Sequence, residues 1–117
     1  MTEIRRFGAN RRASRVVVSG DRIETSGIVA EQGVSLDIAE QTRSVLRQLE
    51  EMLREAGAGK KNLTRIQIWI ADMKDFDGMN RVYDEWIGNA DQPARACVGS
   101  QLADDSYRIE IQATGTL

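Results

Sequence analysis

The sequence predicts an α+β domain of two layers, a single mixed β-sheet with two helices on one face. Three observations lead there. Two stretches carry the apolar period of amphipathic helices. Five short stretches alternate, or are β-branched, in the manner of strands. Their order is β-β-α-β-α-β-β, and helices laid on one sheet are the two-layer solution to that order. No repeat or Pro/Gly/Ser-rich linker divides the 117 residues, so 1–117 is expected to be one domain.

The first pair of strands is Val16-Val17-Val18 and Ile23-Glu24-Thr25, with Ser19-Gly20-Asp21 as a hairpin turn between them. Ser26-Gly27 and Gln32-Gly33 then punctuate a loop. From Ser35 to Ala56, Ile38, Thr42, Val45, Leu46, Leu49, Met52 and Leu53 fall on one helical stripe. Ser35 or Asp37 offers an N-cap there, and Gly57 a left-handed stop. From Asn62 to Asp72 the chain alternates: Ile66, Ile68 and Ile70 face one way, Arg65, Gln67 and Trp69 the other. The second helix spans Asp75 to Asn89, with Asp75 as its cap and Gly88-Asn89 as its stop. Its stripe is Phe76, Met79, Val82, Tyr83, Trp86 and Ile87, and Pro93 blocks continuation. The last two strands are Arg95–Leu102 and Ser106–Gly115, joined by Ala103-Asp104-Asp105. Tyr107, Ile109, Ile111 and Ala113 are expected on one face of the final strand, and Arg108, Glu110 and Gln112 on the other.

Two helices cover one sheet face. The other is left with Trp69, Gln67, Glu110 and Gln112, and a large aromatic there implies that a partner covers it. A homo-oligomer with its sheets turned inward is the simplest such partner.

Composition excludes several chemistries. Histidine is absent, which removes Ser-His-Asp and Cys-His pairs and imidazole ligands. One Cys forms no internal disulfide and no thiolate cage. A net charge of −2 supplies no basic field to recruit nucleic acid. No apolar run approaches the roughly 20 residues that span a bilayer. Met1-Thr2-Glu3-Ile4-Arg5-Arg6 lacks the apolar stretch of a signal peptide, so the cytoplasm is the expected compartment and no membrane partner is expected.

Against that background few residues are candidates. Arg95 begins a strand after the Gln92-Pro93-Ala94 bend, where a guanidinium can fork onto a carboxylate. Position alone favours a plain ion pair with an acid. Glu110 lies mid-strand between Ile109 and Ile111, on the face assigned to an interface, where a carboxylate can move a proton on a water molecule. The alternative for it is an ion pair with Arg108 or with an Arg of another subunit. Cys97 shares a strand face with Arg95 and, without a base, reads as a packed thiol whose backbone can line a site. Asn80 interrupts the second helix's apolar stripe and can bond a neighbouring segment. Arg11, Arg12 and Arg15 form a basic cluster that reads as a solvated or anion-facing edge, since only Phe7 is near enough to stack a base. Gly57-Ala58-Gly59-Lys60-Lys61 follows a helix and lacks the P-loop's Ser or Thr, so no phosphate cradle is present.

Three segments together resemble the RidA/YjgF family of imine deaminases. They are Met79-Asn80-Arg81-Val82-Tyr83-Asp84-Glu85-Trp86, Gln92-Pro93-Ala94-Arg95-Ala96-Cys97-Val98 and Tyr107-Arg108-Ile109-Glu110-Ile111-Gln112-Ala113. Thr25-Ser26-Gly27, Gln41-Thr42-Arg43 and the strand Ile66–Asp72 agree with it, so the likeness runs from about residue 16 to 115. The resemblance implies a chorismate-mutase-like fold, a homotrimer, and ligand clefts between subunits. It implies hydrolysis of reactive 2-imino acids or enamines to 2-keto acids and ammonia, with no metal or organic cofactor. By the same resemblance Arg95 grips the substrate carboxylate, Glu110 positions and activates water, and backbone groups near Cys97 contact the imine end; Asn80 and Ser14 are expected with them among the substrate-binding residues.

One segment departs from the pattern. Where the family has Gly-Pro-Tyr-Ser-Gln-Ala, this chain has Arg11-Arg12-Ala13-Ser14-Arg15-Val16, so Ser14 matches while Ala13 replaces the Tyr and Arg15 the Gln. Two readings follow. One is a cofactor-free imine deaminase, which Arg95 and Glu110 favour. The other is a non-catalytic carboxylate-binding or regulatory module, which Ala13 favours. RNA cleavage has only Arg11, Arg12 and Arg15 on its side.

Overall fold

The structure, a computed structural model, describes residues 2–117. Its elements are β1 (Ile4–Phe7), β2 (Val16–Ser19), β3 (Arg22–Thr25), β4 (Ile28–Val29), α1 (Ile38–Glu55), β5 (Leu63–Ile70), α2 (Phe76–Ile87), β6 (Ala94–Gly99) and β7 (Ile109–Thr116). The α+β prediction holds, with two strands more than expected. The sheet runs β1-β2-β3-β7-β5-β6, with β4 on β7. All pairs are antiparallel except β5 with β6, whose connection carries α2.

Local chemistry accounts for the boundaries. Gly20 takes a φ of +63°, which the first central position of a two-residue hairpin needs. Of the two offered caps for α1, Asp37 serves: its carboxylate accepts the Glu40 N–H. Ala56 closes that helix, and Gly57 follows at φ +81°. Asp75 does precede α2, but its side chain makes no capping bond. It pairs instead with Arg108 (Nη2–Oδ2 3.1 Å). Arg108 therefore reaches the helix side, not the face expected from strand alternation, because β7 begins one residue later, at Ile109.

The helices cover one sheet face and the core lies between the layers. Val45, Leu49 and Leu53 of α1 and Met79 of α2 are buried with Val16, Val18, Ile23, Ile66, Ile68, Ile70, Ile109 and Ile111 of the sheet. Each fully buried aliphatic side chain contributes about 1.5–3 kcal/mol. Among the described residues no helix is long and apolar enough to cross a membrane.

One irregularity positions the site. β3 pairs β7 through Glu24↔Thr114, and β4 resumes at Ile28↔Ile111, so one extra residue is taken up between them. At the break the side chain of buried Thr25 reaches β7, its Oγ1 accepting the Ala113 N–H (3.0 Å). The extra chain at this bulge carries Ser26 and Gly27 across β7, beside Glu110.

Candidate functional site

The sequence-derived candidates fall into two groups. The first lies at the outer edge of the sheet. Among the described residues β6 pairs only with β5, in the register Ile66↔Arg95 and Ile68↔Cys97, so Arg95 and Cys97 share the helix-side face with the core isoleucines. Arg95 is exposed but fixed. Its Nη1 donates to Asn80 Oδ1 at 2.7 Å, and its guanidinium carbon lies 4.7 Å from the centre of the Tyr83 ring. Asn80 and Tyr83 are three residues apart on α2 and so share a helix face. Among the described residues Arg95 is in no salt bridge, unlike Arg5, Arg15, Arg22, Arg43, Arg47 and Arg108. An oriented guanidinium with no acid on it is a ready receptor for a planar anion.

Cys97 packs partly buried against the core. Burial pushes its thiol pKa up, and the Arg95 charge only partly counters this. Both its packing and this shift favour the thiol form over the thiolate. Burial likewise raises the Tyr83 hydroxyl, against the pull of Arg95 and with a push from Asp84.

The second group lies on the open face. Glu110 is half-buried between inward-facing Ile109 and Ile111 and is in register with Trp69 and Val29. The expected alternative, an ion pair with Arg108, does not form, since Arg108 is held by Asp75. The Glu110 carboxylate folds against Gly27, where any Cβ would overlap Oε2 and come within 3.0 Å of Cδ. Next to Gly27, Ser26 donates its hydroxyl to the Ser14 carbonyl (2.6 Å), and its N–H bonds the Arg15 carbonyl (2.9 Å). Ser14 thus belongs with Glu110, through Ser26 and Gly27.

Within one chain the two groups do not meet. Arg95, Asn80 and Cys97 are on the helix side at the β6 edge, and Glu110 and Ser14 are on the opposite face. Nor does the groove of about 350 Å³ between α1 and α2, lined by residues such as Leu46, Val82 and Trp86, contain any of them. Arg15 of the basic cluster is taken up by Glu55 (3.2 Å), while Arg11 and Arg12 lie exposed in a turn held by the Asn10 side chain. Sequence reasoning missed Tyr83 as a site residue, having absorbed it into the apolar stripe. The spacing from Asn80 was the available signal. For Gly27 the signal was the Thr25-Ser26-Gly27 match, which marks the position but not its contact with Glu110.

Comparison with known proteins decides the relationship. The family model described as Endoribonuclease L-PSP matches residues 3–117. The chain belongs to the RidA/YjgF family. Among RidA/YjgF relatives, a RutC family protein of Haemophilus influenzae is 34% identical over 113 residues, 97% of each protein. The RutC family protein YoaB of Escherichia coli is 30% identical over 107 residues, 92% of each. The crystal structure of a YjgF family member from Neisseria meningitidis superposes with a TM-score of 0.92 at 39% identity, covering 97% of this chain and 94% of that one. The RidA/YjgF fold expected from the motif segments is thus the fold observed.

Proposed function

We propose that this RidA/YjgF chain is a cofactor-independent deaminase of small carboxylated imines, acting at clefts shared by neighbouring copies in a homotrimer. The observation that carries the reading is Arg95, aimed by Asn80 and Tyr83 and bearing no carboxylate of its own chain among the described residues. Because Glu110 is on the other face, a cleft containing both needs the β6 edge of one copy against the open face of the next. A head-to-tail contact of that kind closes into a ring.

The chemistry asks for little more. The Arg95 fork holds the carboxylate of R–C(=NH2⁺)–COO⁻, which fixes the electrophilic carbon. Glu110 accepts a proton from water as its oxygen bonds that carbon. Glu110 then gives that proton to nitrogen, the C–N bond breaks as the carbinol oxygen becomes the carbonyl and loses its remaining proton through Glu110 to the departing ammonia, and the products are R–CO–COO⁻ and NH4⁺. Protonated imines are already activated, so orientation supplies most of the acceleration. Seating the thiol form of Cys97 near the imine end adds a contact without a competing nucleophile.

An amino-acid oxidase generating the alanine-derived imine in situ, with semicarbazide trapping what remains, tests the reading. Wild type is expected to remove the imine faster than buffer. Arg95→Ala and Glu110→Gln are each expected to lose at least about tenfold, with the assembly intact by size exclusion. Equal rates for all three proteins would leave the carboxylate-binding module, which Ala13 favours.

A further inference from the structure

The open face has one apolar row, and it contains the acid. Following the pairing across β6, β5, β7 and β4, Val98, Trp69, Glu110 and Val29 stand in line on the same face. The next rows are polar or small: Ala96, Gln67 and Gln112, then Ala94, Arg65 and Thr114. Directly opposed residues on one face bring their Cβ atoms to about 5 Å. Trp69 is therefore the immediate neighbour of Glu110 on the β5 side. On the β4 side the carboxylate already presses on Gly27.

The two tryptophans differ in what occupies them. Trp86 donates its N–H to Glu50 at 2.5 Å, and the Lys60 ammonium sits 5.1 Å from its ring centre. Among the described residues nothing ties Trp69 in either way, and it stands half-buried on a face with no helix over it. A flat apolar ring beside the proposed water-activating carboxylate is a surface for the substituent on the reacting carbon, with Val29 and Val98 extending it.

From this row we infer that Trp69 is a specificity-determining residue of the site, selecting imines with branched or aromatic side chains over the alanine-derived one. The inference rests on the deaminase site proposed above, because the carboxylate must be held at Arg95 for the substituent to reach Trp69. A hydrophobic wall of this kind discriminates by about ten- to a hundredfold.

The experiment has two arms, on wild type, Trp69→Ala and Trp69→Phe. In the first, imines are generated from alanine, leucine and phenylalanine, and kcat/KM is compared. Wild type is expected to favour the leucine and phenylalanine imines about tenfold, Trp69→Ala to erase that preference by lowering kcat/KM for those two imines about tenfold more than for the alanine imine, and Trp69→Phe to keep it. In the second, calorimetry measures binding of pyruvate and of the keto acids of leucine and phenylalanine, which needs no turnover. Selective binding lost in Trp69→Ala, without deamination by wild type, would sink the deaminase reading and support the role of Trp69. Binding without preference would overturn that role. So would dissociation of both variants in sedimentation with selectivity unmoved, since Trp69 would then be interface packing alone.

Discussion

The smallest residue near the acid sets where the acid sits. Gly27 does not have the left-handed φ that would demand glycine, so its requirement is room, not backbone freedom. An added Cβ meets only the far end of a flexible side chain, so the fold can yield by moving the carboxylate. Gly27→Ala is therefore expected to fold with an unfolding midpoint within about 3 °C of wild type, while imine hydrolysis falls by up to about a hundredfold, the effect of a roughly 1 Å misplacement. Thermal unfolding and the semicarbazide assay together check this. A variant with full activity would show that the Glu110 position seen here is not the working one. Arg95 shows the complementary point at the same scale. Its sequence position suggested an ordinary surface ion pair, yet among the described residues it meets an amide and an aromatic ring and no acid.

At the scale of elements, the strongly periodic segments were legible and the weakly buried ones were not. Both helices lie within the stretches their stripes predicted, because the stripe is the same apolar burial that stabilises them. β1 was not legible: Ile4-Arg5-Arg6 are all exposed on an edge strand, so backbone pairing with β2 sets it and no side-chain alternation marks it. β4, at two residues, is too short for a period. The final strands were drawn too long, since the connection between β6 and β7 leaves the sheet at Gly99 and rejoins at Ile109. That connection is held by Gln41, a polar residue 1% exposed inside α1. Its amide donates to the Ser35 and Ser106 carbonyls (3.1 and 2.7 Å), and its Oε1 accepts the Arg108 N–H (2.8 Å). Gln41→Ala leaves those three groups to find other partners and is expected to cost about 2 kcal/mol in urea unfolding. A loss below about 0.5 kcal/mol would mean that water replaces the staple. As for the site, the residue types Arg95, Asn80, Cys97, Ser14 and Glu110 could be picked from sequence, and so could the open-face position of Glu110, but not that Arg95 and Cys97 lie on the helix side. That side is set by the register of the edge strand β6 on β5, which no local pattern in the sequence encodes.

For the whole molecule, the placement of Arg95 and Glu110 on opposite faces becomes a test of assembly. If each cleft takes its guanidinium from one copy and its carboxylate from the next, then Arg95→Ala and Glu110→Gln proteins damage different contributors to every site. Alone, each assembly contains only broken clefts. Refolded together from denaturant at equal amounts, random mixing places an intact Arg95 opposite an intact Glu110 at about a quarter of the interfaces, whatever the number of copies in the ring. Activity per site is therefore expected to rise from near zero to about one quarter of the wild-type value. The same proteins mixed without unfolding should regain activity only as fast as subunits exchange. No recovery, in mixtures that sedimentation shows to be hybrid, would mean that both groups serve a site within one copy, which the opposed faces of this sheet do not allow, or that they serve no common site at all.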